Sequence, residues 1–344
     1  MKKIIMLISK NRFALLFLFS ILVNSYNCDA QQIVNEEKIT PYGKPIVRIF
    51  SNFHTDLSNE FDESAFEITR TFLGYKYFVN EYFSTEVKID IGNLGDALSG
   101  SGIKRYTYFK HIALMYNKDK FTWHFGLIPT KMFKVQEKYW GHRYLYKTLP
   151  DEHEFGYSAD AGTSLEYRFN SNISADISVM NGEGFRKPQL DNTFRTGFGI
   201  TVRLSEHFTT RFYYDFIAKE EIQSTFVGFL GWKDKRLTFG IEVDYMANSN
   251  YILNQNQTGY STYASYLLGE KFEIFGRFDK LASNKLEGME NSWNNSNDGQ
   301  AIISGIQFRP VNEVKIALNY RNWYSTDTDI SNQPFLFLSF EFNL

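Results

Sequence analysis

Five basic side chains, Lys131, Lys134, Lys138, Arg143 and Lys147, crowd one stretch of the chain, and three acids, Asp151, Glu152 and Glu154, close it. Ammonium and guanidinium groups gathered in this way can hold anions, because each gives charge-assisted hydrogen bonds and replaces part of the hydration shell. The stretch runs from Thr130 to Gly156 and reads TKMFKVQEKYWGHRYLYKTLPDEHEFG. Its aromatics, Tyr139, Trp140, Tyr144 and Tyr146, suit stacking on a sugar ring or, more commonly, anchoring the segment to a wall.

Other chemistry is sparse. The histidines are His54, His111, His124, His142, His153 and His207. His142 and His153 share the basic stretch but lack a ligand-pair spacing, so no metal site is expected. Asp327-Thr328-Asp329 and Asn294 to Asp298 fall short of a dedicated calcium loop. There is no G-x-S-x-G nucleophile motif and no phosphate-cradling glycine loop. The sequence therefore offers no catalytic residue, no cofactor and no metal, and it does not read as an enzyme.

The elements that must position these residues have a simple pattern. In His207 to Ile217, Phe208, Thr210, Phe212, Tyr214 and Phe216 share one face, while Thr209, Arg211, Tyr213 and Asp215 share the other. Leu237 to Tyr245 repeats the split. Strict alternation is the mark of a strand with one apolar side. Sixteen such segments follow one another from residue 45 to residue 344. Short links come after the even-numbered segments, and mostly long links after the odd ones. That rhythm predicts an all-β transmembrane antiparallel barrel of about sixteen strands, with an apolar band facing lipid and a polar lumen. Aromatic residues make up 17% of the chain, rich for a soluble enzyme, and charged residues 22%. An apolar outer face on a polar average accounts for both. Trp123, Trp232 and Trp323 are expected at the membrane interfaces.

The first residues read as an export signal. Lys2, Lys3, Lys10 and Arg12 precede the apolar run Phe13 to Val23, which is too short to span a bilayer. Cys28-Asp29-Ala30 places cleavage after Ala30, so residues 1–30 are assigned to the signal, 31–44 to an N-terminal extension and 45–344 to the barrel. Lipidation of Cys28 is disfavoured by Ser25 and Asn27, where an aliphatic and a small residue are usual. Cleavage removes the one cysteine, so no disulfide is expected, and shifts the net charge from −2 to about −5. No basic excess invites nucleic acid.

The run Gly126 to Gly184 resembles the phosphate-selective porin O and P family in its Bacteroidetes-type form. The matching pieces are GLIPT (Gly126 to Thr130), QEKYWGHRYLYKT (Gln136 to Thr148), SADAGTSLEY (Ser158 to Tyr167) and SVMNGEGF (Ser178 to Phe185). The resemblance implies a homotrimeric channel in the bacterial cell outer membrane, whose third external loop, 130–156, folds inward as a constriction. It also implies lumen cations that conduct phosphate. By parity the lumen-facing candidates are Arg70, Arg168, Arg195, Arg211, Arg236, Arg277 and Arg321, with Lys76, Lys88, Arg203 and Lys315. Parity also puts Glu86, Asp90, Asp160, Glu166, Asp176, Asp215, Glu242, Asp244, Glu273, Asp279 and Glu341 there, so the wall is nearly balanced. Opposite charges on neighbouring strands can simply pair. The expected partners are small hydrophilic solutes or anions such as phosphate, and outer-membrane lipid. The alternative is a barrel acting as an adhesion or binding protein, or as a barrel enzyme.

Overall fold

The computed structural model describes residues 41–58, 64–92 and 106–344. The expected signal segment lies outside the described residues, as do most of the extension and the link 93–105. Sixteen strands follow in order: β1 (Tyr42–Asp56), β2 (Ser64–Phe78), β3 (Phe83–Gly92), β4 (Tyr106–Lys118), β5 (Phe121–Pro129), β6 (Ala159–Arg168), β7 (Ile173–Met180), β8 (Arg195–Arg203), β9 (Phe208–Ala218), β10 (Ile222–Lys233), β11 (Leu237–Ala247), β12 (Gln257–Leu267), β13 (Phe272–Ser283), β14 (Gly299–Val311), β15 (Val314–Ser325) and β16 (Phe335–Asn343). Each pairs antiparallel with its chain neighbours, and β1 closes the barrel on β16, from Arg48 opposite Asn343 to Asp56 opposite Phe335. Closure leaves no unpaired sheet edge, the condition for a sheet to survive in hydrocarbon.

The alternation fixes which side chains face out. Phe212, Tyr214, Phe226, Leu230, Ile241 and Tyr245 are exposed on the outer face, while their neighbours Arg211, Tyr213, Val227 and Glu242 are buried inside. Outward side chains that would be a liability in water are the natural surface for lipid.

The two rims differ. On one, tight turns are held by a short side chain that accepts two successive backbone N–H groups. Asn80 accepts from Tyr82 and Phe83, Asn170 from Asn172 and Ile173, Ser205 from His207 and Phe208, and Asp234 from Arg236 and Leu237. Asn, Asp and Ser serve here because their side chains mimic a backbone turn. The other rim carries the longer loops, the longest between β5 and β6.

Three expectations need correction. Tyr42 already pairs with Phe78, so β1 begins before residue 45 and takes the end of the supposed extension. Arg236 has lumen parity but sits in the turn before β11 and is exposed, because Asp234 holds that turn. Trp323 faces inward on β15, where its ring lies 5.2 Å from that of His153, and so belongs to no interfacial girdle.

Candidate functional site

The long loop 130–158 lies inside the barrel. Two short helices shape it, α1 (Lys134–Trp140) and α2 (Leu149–Glu152). Helix α1 stops at Gly141, whose φ of 68° is left-handed and suits a residue without a Cβ. Pro150 sits in the first turn of α2, where its missing N–H costs nothing.

Apolar packing holds the loop to the wall. Trp140, 1% exposed, lies 5.4 Å from the ring of Tyr263 and 6.1 Å from that of Phe275, and its Nε1 donates to the Tyr146 carbonyl at 2.8 Å. Met132, Phe133, Leu149 and Phe155 form a second layer on Tyr213, Val227, Met246 and Leu281. The wall is carved to receive them. A Cβ on Gly231 would strike the Tyr139 ring at 2.6 Å, and one on Gly259 would strike Leu149. Fully burying one such side chain contributes about 1.5–3 kcal/mol, so these layers outweigh any single polar contact.

Polar contacts fix the register. The Gln136 amide donates to Glu242 Oε1 at 2.9 Å, Tyr263 donates its hydroxyl to the Gln136 carbonyl at 3.0 Å, and Tyr144 donates to Gln307 at 2.9 Å. Arg277 donates to the Lys147 carbonyl at 2.7 Å, and Arg211 to the Lys131 carbonyl at 2.8 Å. Two wall arginines thus hold loop backbone.

The five loop cations have different fates. Lys131 meets Glu166 at 2.9 Å, Lys134 meets Glu137 at 3.6 Å, and Lys147 meets Glu152 at 3.4 Å. Arg143 bridges Glu137 at 2.8 Å and Asp151 at 2.7 Å. Lys138 is exposed and makes no ion pair among the described residues. Burial alone would raise the Glu137 and Asp151 carboxyls. Lys134 and Arg143 outweigh it at Glu137, and Arg143 and Lys147 at Asp151, so both are held below the usual carboxylate range. The polar side of the loop faces β2, β3 and β4, since Asp151 is within electrostatic reach of Arg70 and Lys110, and Lys134 of Lys88.

Most wall arginines are paired as well: Arg70 with Asp90 at 2.6 Å, Arg195 with Asp215 at 2.7 Å, Arg211 with Asp176 at 2.8 Å and Arg277 with Asp279 at 2.6 Å. Arg168 is exposed at the end of β6. Among the described residues Arg321 pairs with no carboxylate, donating instead to Asn319 and Ser339.

No family model matches the chain, and no curated protein matches it either. Solved structures do. OmpF of Salmonella typhi, in complex with daunomycin, aligns over 91% of this chain and 100% of its own at a TM-score of 0.66 and 9% identity. OprB of Pseudomonas putida aligns over 88% and 94%, with a TM-score of 0.64 and 7% identity. The outer membrane channel DcaP of Acinetobacter baumannii aligns over 88% and 97%, with a TM-score of 0.59 and 12% identity. The chain shares the porin fold.

Within that fold, two inward residues escape strict parity. A bulge between Lys88 and Ile89 of β3 and their partners on β4 gives β4 an extra residue, so Lys110 and His111 both turn inward. Lys110 donates to Ser158 Oγ and lies 3.6 Å from the Phe185 ring centre, while His111 meets Glu86 at 2.6 Å. The signal was two successive polar residues between Phe109 and Ile112, where alternation demands one. A second feature is the buried acidic group behind α1. Glu242, Asp244 and Asp279 are at most 1% exposed, Arg277 pairs with Asp279, and neither Asp244 oxygen has a hydrogen-bond partner among the described residues. Among the described residues no three His, Cys, Asp or Glu side chains gather to hold a metal.

Proposed function

We propose that this chain is an outer-membrane porin: a passive, non-enzymatic channel for small hydrophilic solutes, set in outer-membrane lipid as a homotrimer. One observation carries the reading. A closed sixteen-strand barrel with an apolar outside has a long loop docked on its inner wall, by side chains the wall is shaped to receive. An adhesion barrel would need that loop outside, free to meet a partner. Barrel enzymes carry converging acids or serines at the external rim, and the sequence offers no such triad. Assembly as a trimer rests on the family resemblance, and one structure with the same fold, OmpT of Vibrio cholerae, is described as a trimer form.

Selectivity follows from pairing. Most lumen cations already meet a carboxylate, which leaves little uncompensated charge and favours a general pore with a weak anion preference over a dedicated phosphate channel. The resemblance to the O and P family remains the support for phosphate. Reconstitution in a planar bilayer tests the reading: stepwise, ohmic conductance is expected, and folded protein that never raises conductance would refute it.

A further inference from the structure

Arg321 on β15 differs in its partners from five other arginines of the wall. Arg48, Arg70, Arg195, Arg211 and Arg277 each meet a carboxylate at 2.6 to 2.8 Å. Arg321 is held by neutral acceptors, Asn319 Oδ1 at 2.8 Å and Ser339 Oγ at 3.2 Å. Its guanidinium carbon lies 3.8 Å from the centre of the Phe337 ring. Glu152 and Glu67 lie within its electrostatic reach, and neither forms an ion pair with it among the described residues. Its Nη1 has no protein acceptor among the described residues and keeps some exposure, so it is free to donate to a solute.

The shelf continues past Phe337. The Phe335 ring centre lies 5.8 Å from that of Phe337, and His54 packs against both at 5.7 and 5.4 Å. Phe335 and Phe337 are only half-buried, and both have lumen parity. A cation on an aromatic face, with an open donor and a flat apolar surface beside it, has two distinct things to offer a solute. The donor takes an oxyanion without displacing any protein carboxylate. The rings take the apolar body attached to it, by stacking or edge contact. An inorganic anion can use only the first.

Resting on the porin reading, we infer that Arg321 and Phe337 form a lumen subsite for organic carboxylates with a flat or apolar body. Such solutes pause there during passage, and Arg321 and Phe337 determine the preference.

The test is single-channel recording of the full chain in potassium chloride with benzoate, acetate or phosphate added. Benzoate should interrupt the current transiently at concentrations where acetate and phosphate do not. Arg321→Gln should weaken the benzoate effect about tenfold, the size of one lost charge-assisted hydrogen bond, while keeping the open-channel steps. Phe337→Leu, which retains the charge, should weaken benzoate about threefold and leave the chloride reversal potential unmoved. Interruption by benzoate that survives both substitutions, or phosphate acting as strongly as benzoate, would overturn the subsite. Wild-type protein that gives no steps would instead overturn the porin reading beneath it.

Discussion

Gln136 of the inner loop and Glu242 of β11 meet at 2.9 Å, with neither residue more than 1% exposed. They are far apart in the chain, so this hydrogen bond exists only because the loop turns inward. It also supplies a donor to a carboxylate that is almost wholly buried.

Gln136→Leu should therefore loosen the loop. Removing the amide leaves the buried Glu242 oxygen without that donor, a cost of about 1–3 kcal/mol for the orphaned group. The barrel itself should persist, since its strand pairing does not involve Gln136. Single-channel recordings should show larger or noisier steps, and protease should cut within 130–158 more readily. Unchanged conductance with an unchanged cleavage rate would show that the bond does not hold the loop.

Gly259→Val probes the same docking from the wall side. A side chain there collides with Leu149, and one on Gly231 would collide with Tyr139. Overpacking of this kind costs about 1–3 kcal/mol, and the loop, not the strand, is the part free to move. The expected result is a folded barrel with altered conductance and faster cleavage at the loop.

The three lysines at the start of the loop should not act alike. Lys131 meets Glu166 at 2.9 Å and Lys134 meets Glu137 at 3.6 Å, whereas Lys138 is exposed without an ion pair. Replacing all three by Glu should move the reversal potential in a salt gradient toward cations. Lys138→Glu alone should produce the largest single share, because Lys138 is exposed while the other two are partly buried and held by ion pairs. Equal shifts from the three single variants would show that the pairing does not control selectivity.

The barrel was legible because its signal is repeated at every strand. Phe212, Tyr214 and Ile241 alternate with Arg211, Tyr213 and Glu242, and a one-residue error in any boundary leaves the faces unchanged. Bulges were not legible to parity, since an extra residue on one strand shows only against its partner. Parity therefore does not single out Lys110. Trp323 is hard to place from sequence for a related reason: an aromatic on the polar face looks like interfacial chemistry unless the loop that covers it is known. Tyr263 and Phe275 are similar. Parity puts both in the lumen, but only the fold of the loop puts Trp140 on top of them. A count of lumen charges does not give selectivity, because Arg277 and Arg211 serve the loop backbone and neighbouring aspartates before any solute.

Acid should release the loop, and the sign can be worked out from groups on the loop itself. Burial lowers the His142 and His153 imidazoles below their usual 6.5, so both are neutral where they sit. Glu137 and Asp151 are held below 4.5 and 3.8 despite their burial, by Lys134 and Arg143 for the first and by Arg143 and Lys147 for the second. All four therefore have folded values below the unfolded ones. Each contributes stability that is fully present above the unfolded value and is lost as pH falls through the folded value. As pH drops below about 6.5 the two histidines take up protons more readily in the undocked loop than in the docked one; below about 4.5 the carboxylates do the same, and the Arg143 bridge fails. Protease cleavage within 130–158, followed from pH 7.5 to pH 4, should quicken on the acid side, with an early phase reduced by His153→Gln and a later phase reduced by Glu137→Gln. A cleavage rate that is flat over this range, or one that rises toward neutral pH, would mean that these groups do not secure the loop.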